Sequence, residues 1–176
     1  WWENKNIISK KKFRVMFVGS MSRSFNFNPI FEASYKLKDS SIDCEFIICG
    51  EGEKFEELQH KSKNFDNIKI IGWIDKAKIE VLSNFSTVTI APYKSSSDLV
   101  ISIPNKIIDS LRLGLPILSP LEGEVASLIQ KYEIGFTYGR NMCLFDCLKK
   151  FIDNPKLSQF MSKNSRRLYN RHFQYE

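Results

Sequence analysis

Short apolar segments alternate with amphipathic segments along most of this chain. The apolar segments are four to six residues long, are rich in Ile, Val and Phe, and are bounded by polar or Gly and Pro residues. Segments of that length and composition predict buried β-strands. The predicted strands are Phe13–Val18, Cys44–Cys49, Ile68–Ile71, Thr87–Ala91, Pro116–Ser119 and Gly135–Tyr138.

The intervening segments carry apolar residues at helical spacing, whereas Ser95-Ser96-Ser97 reads as a short polar loop. Strands that alternate with helices are typical of βαβ units, so we expect an α/β fold with a doubly wound, Rossmann-like parallel sheet of about six strands in the order 3-2-1-4-5-6. The predicted helices are Pro29–Lys38, Lys54–Lys63, Lys76–Asn84, Pro104–Leu113, Glu122–Lys131, Met142–Ile152 and a mostly polar last helix from Pro155 to about Asn170.

Composition fits a single domain with a sizeable core, because the 176 residues are 43% hydrophobic and 13% aromatic. No apolar run reaches the ~18 residues of a transmembrane helix. The four cysteines show no C-x-x-C spacing and are expected to be reduced thiols of a cytosolic domain. His60 and His172 have no partners at ligand spacing, so no metal site is expected.

The chain is basic, with a formal net charge of +6 and a pI near 9.1. Much of the excess lies in Lys10-Lys11-Lys12 and in the C-terminal segment, and most of it is interpreted as solvated surface. Peripheral contact with anionic lipid headgroups is left open as a second interpretation. Nucleic acid is not expected as a partner, because the basic residues match no recognisable nucleic-acid-binding motif.

The segment Ile103–Pro120 combines a helix start, an acidic residue on that helix and a following buried strand. Pro104 is expected in the first turn of the helix, where its missing N–H costs nothing. The amides and positive dipole end near Asn105 and Lys106 suit a diphosphate. Asp109 lies about one turn further on, where its carboxylate can accept hydrogen bonds from a sugar diol.

Ligands of doubly wound sheets bind at the carboxyl ends of the strands, so the loops that follow the first four strands are candidate sites. Phe55 stands where a dinucleotide fingerprint would have its third glycine, which disfavours a nicotinamide or flavin enzyme. No G-x-S-x-G elbow of a hydrolase is present. The candidate binding residues in these loops are Gly19, Ser20, Arg23, Gly50, Gly52, Trp73 and Lys94. Trp73 either stacks on a base or covers the edge of the core.

The run D-S-L-R-L-G-L-P from Asp109 to Pro116 resembles the E-A-x-A-x-G-x-P signature of the nucleotide-sugar-dependent glycosyltransferases of family four, which have the two-Rossmann-domain GT-B fold. Pro104-Asn105-Lys106 resembles the P-[NS]-K variant of that motif, found in many enzymes of bacterial surface-polysaccharide assembly. Further landmarks follow the family's order over nearly the whole chain. They are Gly19-Ser20, Ile47 to Gly52, Ile70 to Trp73, Thr89 to Pro92 and Ile134 to Phe136.

The resemblance implies a retaining glycosyltransferase that moves a sugar from a UDP- or GDP-linked donor to a saccharide acceptor, expected to be lipid-linked. Residues 13–153 would be the donor-binding C-terminal half of the GT-B fold, 1–12 a linker or an added start, and 154–176 a helix that crosses back to an N-terminal acceptor domain. The start without Met favours an excised fragment, which alone would be inactive in transfer. The family usually needs no bound metal. The enzyme would be cytoplasmic, and contact with the inner membrane face stays open as an additional expectation.

The sequence departs from the family pattern at three points. Asp109 replaces the usual glutamate, Ile101 stands where the family often has another glutamate, and the first loop lacks the Lys-Gly that the family usually has near Arg23. Asn105 and Lys106 are expected to act in place of the glutamate that the family often has at the position of Ile101. Two alternatives stay open, namely a nucleotide-sugar epimerase of GT-B architecture and a noncatalytic Rossmann-like interaction module.

Overall fold

Six parallel strands form the centre of the structure, a computed structural model that describes residues 1–2, 12–94 and 97–174. Their order is β3-β2-β1-β4-β5-β6, which confirms the predicted sheet. The first three strands have the predicted bounds, and the others are shorter by one or two residues, within the usual scatter of element ends. The strands are β1 (Phe13–Val18), β2 (Cys44–Cys49), β3 (Ile68–Ile71), β4 (Val88–Ile90), β5 (Ile117–Ser119) and β6 (Gly135–Thr137).

Helices connect the strands on both faces, close to the predicted bounds. The exception is a one-turn helix at Ser97–Val100, which was not predicted. It begins at Ser97, the last residue of the predicted polar loop, and Ser95 and Ser96 lie outside the described residues. A single turn is too short to show a helical period, which is why the pattern missed it. The helices are α1 (Asn28–Asp39), α2 (Phe55–Ser62), α3 (Lys76–Asn84), α4 (Ser97–Val100), α5 (Asn105–Leu113), α6 (Glu124–Tyr132), α7 (Leu144–Asp153) and α8 (Pro155–His172).

The strands are apolar along their length because the sheet is covered on both faces. In β1, Val15 and Phe17 join the cluster beneath α1 and α7, whereas Met16 faces α3. A third cluster holds α5, α6 and α8 together and includes Ile107 and Leu168. The long connections between parallel strands therefore bury their apolar faces on the sheet.

The four cysteines are free thiols, as predicted. Cys44, Cys49 and Cys147 are buried and Cys143 is half-buried. Burial raises the pKa of Cys49 and of Cys147 to about 12, so both side chains are neutral at pH 7. In the described ranges, no helix is long and apolar enough to cross a membrane.

A buried ion-pair network joins the first three strands on the α3 side of the sheet. Arg14 and Glu45 are 1% and 5% exposed, and the guanidinium Nε and Nη2 each lie 2.8 Å from Glu45 Oε2. Lys69 Nζ lies 2.8 Å from Glu45 Oε1, and Arg14 Nη1 donates to the carbonyl of Phe85 after α3. The carboxylate thus neutralises a guanidinium that has no access to water.

We expect Glu45→Gln to lower the free energy of unfolding by about 3–5 kcal/mol, because it removes the carboxylate charge that faces the buried Arg14 guanidinium. Asp66→Asn is the matched control, since Asp66 pairs with Lys38 where both side chains are more than half exposed, and it should cost less than ~1 kcal/mol. Urea unfolding of the three proteins measures both values. Equal losses in the two variants would contradict the role assigned to the network.

Candidate functional site

The loops after β1 and β2 touch each other through glycines. Gly19 N donates to the Cys49 carbonyl over 3.0 Å, and a Cβ added to Gly50 would lie only 1.9 Å from Gly19 O. One step further, a Cβ on Gly52 would lie 2.9 Å from Met21 O. The predicted glycines therefore allow two backbones to meet, a structural role that is separate from any contact with a ligand.

The loop after β4 pairs with the same β1 loop from the other side. Phe25 and Tyr93 form an antiparallel bridge, and Lys94 N donates to Ser24 O over 2.8 Å. The Lys94 side chain is exposed. The backbone of Lys94 is thus fixed beside the β1 loop while its ammonium remains open to solvent.

Lys106 joins the start of α5 to the end of β1. Its Nζ donates to the Val18 carbonyl over 2.6 Å and lies 4.6 Å from the centroid of the Phe17 ring. A Cβ on Gly19 would come within 2.1 Å of that nitrogen, so a side chain there would displace the end of Lys106, and the φ of 150° at position 19 favours glycine in any case. Burial lowers the pKa of the Lys106 ammonium, and the charge of Asp109 opposes that shift.

Pro104 is the N-cap of α5 and not part of its first turn, which corrects the sequence prediction. Its φ of −62° and ψ of 148° are extended, and its carbonyl accepts from Ile107 N over 2.9 Å. The fixed φ of proline suits an extended cap as well as a first turn, so the sequence alone did not distinguish the two. Asn105, which is exposed, becomes the first helical residue, and the helix ends at Gly114 with a φ of 68°, as predicted.

Asp109 is exposed on α5, on the side that faces α3. It lines a cavity of about 160 Å³ between the two helices, together with Val18, Ile79 and Arg112. Asp109 also acts on the loop after β4. The pKa of the Tyr93 hydroxyl is raised mainly by burial and, to a smaller extent, by the negative charge of Asp109. A carboxylate at this position can accept hydrogen bonds from a polar ligand in the cavity.

Arg23 and Trp73 lie at the outer part of the same edge. Arg23 is strongly exposed, its Nε is 2.9 Å from Glu53 Oε2, and its backbone N donates to Glu53 Oε1 over 2.7 Å. Trp73, after β3, is 69% exposed, so the interpretation that it covers the edge of the core is wrong. Stacking of Trp73 on a nucleobase stays a prediction.

Sequence reasoning missed Glu53 and Lys54. Glu53 holds the β1 loop through Arg23, and Lys54 Nζ donates to the Phe25 carbonyl over 3.2 Å. The sequence could have indicated this contact. Glu53 and Lys54 directly follow Gly50-Glu51-Gly52, and β1 and β2 are neighbours in the predicted strand order, so the loop with Arg23 is expected beside them.

The sequence matches the model of the family described as Glycosyl transferases group 1 over residues 2–168. The chain belongs to this glycosyltransferase family. No curated protein matches the sequence. The family assignment confirms the resemblance found in the motifs around α5.

Solved structures similar to this group 1 chain include glycosyltransferases from bacteria. WaaG, a glycosyltransferase involved in lipopolysaccharide biosynthesis, is 18% identical with a TM-score of 0.77, and the match covers 99% of this chain and 47% of WaaG. The C-terminal domain of LpcC from Francisella tularensis is 19% identical with a TM-score of 0.71, with coverage of 99% and 92%. HepE from Anabaena, solved with UDP-glucose, is 14% identical with a TM-score of 0.78, with coverage of 98% and 47%.

The TM-scores of 0.71 to 0.78 show the shared fold, and they confirm the Rossmann-like half of a GT-B architecture. The group 1 chain spans about half the length of WaaG and of HepE. Within it, Gly19, Gly50 and Lys106 form one connected set of contacts, and Lys94, Asn105 and the exposed Ser20 lie in the loops and helix start at the same edge. The binding roles assigned to these residues stay predictions.

We expect Gly50→Ala to lower the free energy of unfolding by about 2–4 kcal/mol, because the added methyl meets the backbone of Gly19 as well as an unfavourable φ of 141°. Gly139→Ala is the matched control, with a φ of 144° and nothing within 4 Å of the added Cβ. Chemical denaturation measures the loss in both variants. In Gly139→Ala it should include only the cost of the unfavourable φ and therefore be smaller than in Gly50→Ala. Indistinguishable losses would show that the contact between the two loops contributes nothing.

Proposed function

We propose that this chain is the donor-binding half of a retaining glycosyltransferase and holds the nucleoside diphosphate of a sugar donor at the carboxyl edge of its sheet. In a longer protein it would serve the transfer of a sugar from a UDP- or GDP-linked donor to a saccharide acceptor, expected to be lipid-linked. The observation that supports this most directly is the contact of Lys106 with the end of β1, since it brings the start of a nine-residue helix against the first loop.

The diphosphate would lie between the start of α5 and the Gly19-Ser20 turn. The amides of Asn105 and Lys106 belong to the first turn of α5 and have no acceptor within the helix, and the helix dipole adds partial positive charge there. The Lys106 ammonium lies at the same point, and Lys94 and Arg23 are exposed on the adjoining loops. These groups would stabilise the negative charge that develops on the departing nucleoside diphosphate.

The nucleoside would extend from the diphosphate toward α3. Asp109 lines the cavity between α3 and α5 and would accept hydrogen bonds from the ribose diol. Trp73, exposed on the loop that leads into α3, would stack on the base. The solved complex of HepE with UDP-glucose supports uridine as the first base to test.

We further propose that no metal or other cofactor takes part in donor binding. The charge of the diphosphate would be offset by the α5 dipole and by Lys106, Lys94 and Arg23. In the residues that the structure describes, no three His, Cys, Asp or Glu side chains are grouped as metal ligands would be. The acceptor and further catalytic groups would come from a second domain, so we expect this chain alone to bind the donor without transferring its sugar.

Calorimetric titration of the chain with UDP, GDP and ADP, without added metal, tests the proposal. We expect one nucleotide to bind selectively, and Asp109→Asn to weaken that binding about tenfold or more, because a charge-assisted hydrogen bond to the ribose is lost. Asp153→Asn removes an equal charge at an exposed position of α7 and should leave affinity unchanged. Absence of binding by all three nucleotides, or equal affinity of Asp109→Asn and wild type, would contradict the assigned site.

A further inference from the structure

Helix α8 carries five of the six net positive charges of the chain. Its 18 residues contain five Lys or Arg and no Asp or Glu. None of these cations lies within 4.0 Å of a carboxylate oxygen of the described residues (1–2, 12–94 and 97–174). Nine ion pairs occur elsewhere in the same residues. The cations are Lys156, Lys163, Arg166, Arg167 and Arg171.

Four of these cations share one face of the helix with an exposed phenylalanine. The five residues are at positions 156, 160, 163, 167 and 171. With 100° of rotation per residue, their side chains lie within an arc of about 80° around the helix axis. All five are exposed, and Phe160 among them is 45% exposed. We call this face the basic stripe, and it consists of Lys156, Phe160, Lys163, Arg167 and Arg171.

The basic stripe does not contribute to the core of the domain. Met161, Ser165 and Leu168 form the buried side of α8. Beside the stripe, a groove of about 320 Å³ between α6 and α8 adds Lys131 and His172, and Glu133 is the one carboxylate that lines it. The α6 side of the groove thus carries one cation and one carboxylate, and the excess of positive charge stays on α8.

The stripe lies away from the candidate donor site. Ser162 on α8 donates its hydroxyl to the Gly114 carbonyl over 2.6 Å, and Arg166 packs over Gly114. Gly114 ends α5, whereas the donor site is at the start of that helix. The contact between α8 and α5 is therefore at the opposite end of α5 from the candidate donor site.

We propose that the basic stripe of α8 binds the surface of an anionic phospholipid bilayer. A straight row of cations about 22 Å long matches a flat, negatively charged surface. A partly exposed aromatic ring within the row, between Lys156 and Lys163, is suited to the boundary between headgroups and acyl chains, where amphipathic helices place such rings. The contact goes beyond the proposed donor site and does not depend on it, although a lipid-linked acceptor would give it a purpose.

Co-sedimentation with vesicles tests this contact. We expect the full chain to bind phosphatidylcholine vesicles in which about one third of the lipid is phosphatidylglycerol, to bind pure phosphatidylcholine much less, and to be released by high salt. Lys163→Gln with Arg167→Gln should weaken binding at least about tenfold, since each cation near the surface is worth about a fivefold factor. Phe160→Gln should reduce the binding that remains at intermediate salt.

The matched control is Lys63→Gln with Lys76→Gln, which removes the same charge from exposed positions around α2 and α3. The proposal is supported if this control binds like wild type and the stripe variant does not. Equal weakening by the two double variants would overturn it, because net charge alone would then explain binding. Unchanged vesicle binding by the stripe variant, or tighter binding of single-stranded RNA than of vesicles, would also overturn it.

Two measurements keep a folding defect and the donor site separate from this result. Urea unfolding should show that both double variants keep the stability of wild type within about 1 kcal/mol, since all four side chains are exposed. Nucleotide titration should be unchanged in the stripe variant. Loss of vesicle binding with intact nucleotide binding therefore supports the stripe, and intact vesicle binding without nucleotide binding contradicts only the donor site.

Discussion

Coverage of the central sheet on both faces is the constraint on which the rest of the structure depends. The chain leaves β1 through α1 toward β2, and it reaches β4 on the opposite side of β1. Connections that diverge in this way open a crevice at the carboxyl end of the central strands. The start of α5 and the loops after β1 and β4 meet there. The location of the proposed donor site is thus a consequence of strand order as much as of any single residue.

Most of the fold was predictable because it depends on local pattern. Strand and helix periods gave the element order and most bounds, and the rule for doubly wound sheets gave the strand order. The one-turn helix at Ser97–Val100 and the cap position of Pro104 were not predicted, because one turn has no period and a fixed φ fits both positions.

The candidate site was predictable in location but not in its contacts. Motif order brought Gly19, Gly50, Lys106 and Asp109 to one edge. Two contacts could not be predicted, namely the hydrogen bond of Lys106 to the Val18 carbonyl and the packing of Gly50 on Gly19. Both depend on packing between segments far apart in sequence, which no local pattern contains. The last helix and its excess of positive charge were predicted, but the basic stripe could be defined only once the structure showed which side of α8 is buried.

The fit of the Lys106 ammonium under Gly19 links two positions 87 residues apart. A side chain at 19 would displace the Lys106 ammonium from the Val18 carbonyl and from the ring of Phe17, and a shorter residue at 106 would lose both contacts. The two positions therefore constrain each other through shape. During divergence of this sequence, glycine and lysine at these sites are expected to be inherited or replaced as a pair, and the start of α5 keeps its place above β1 for as long as both remain.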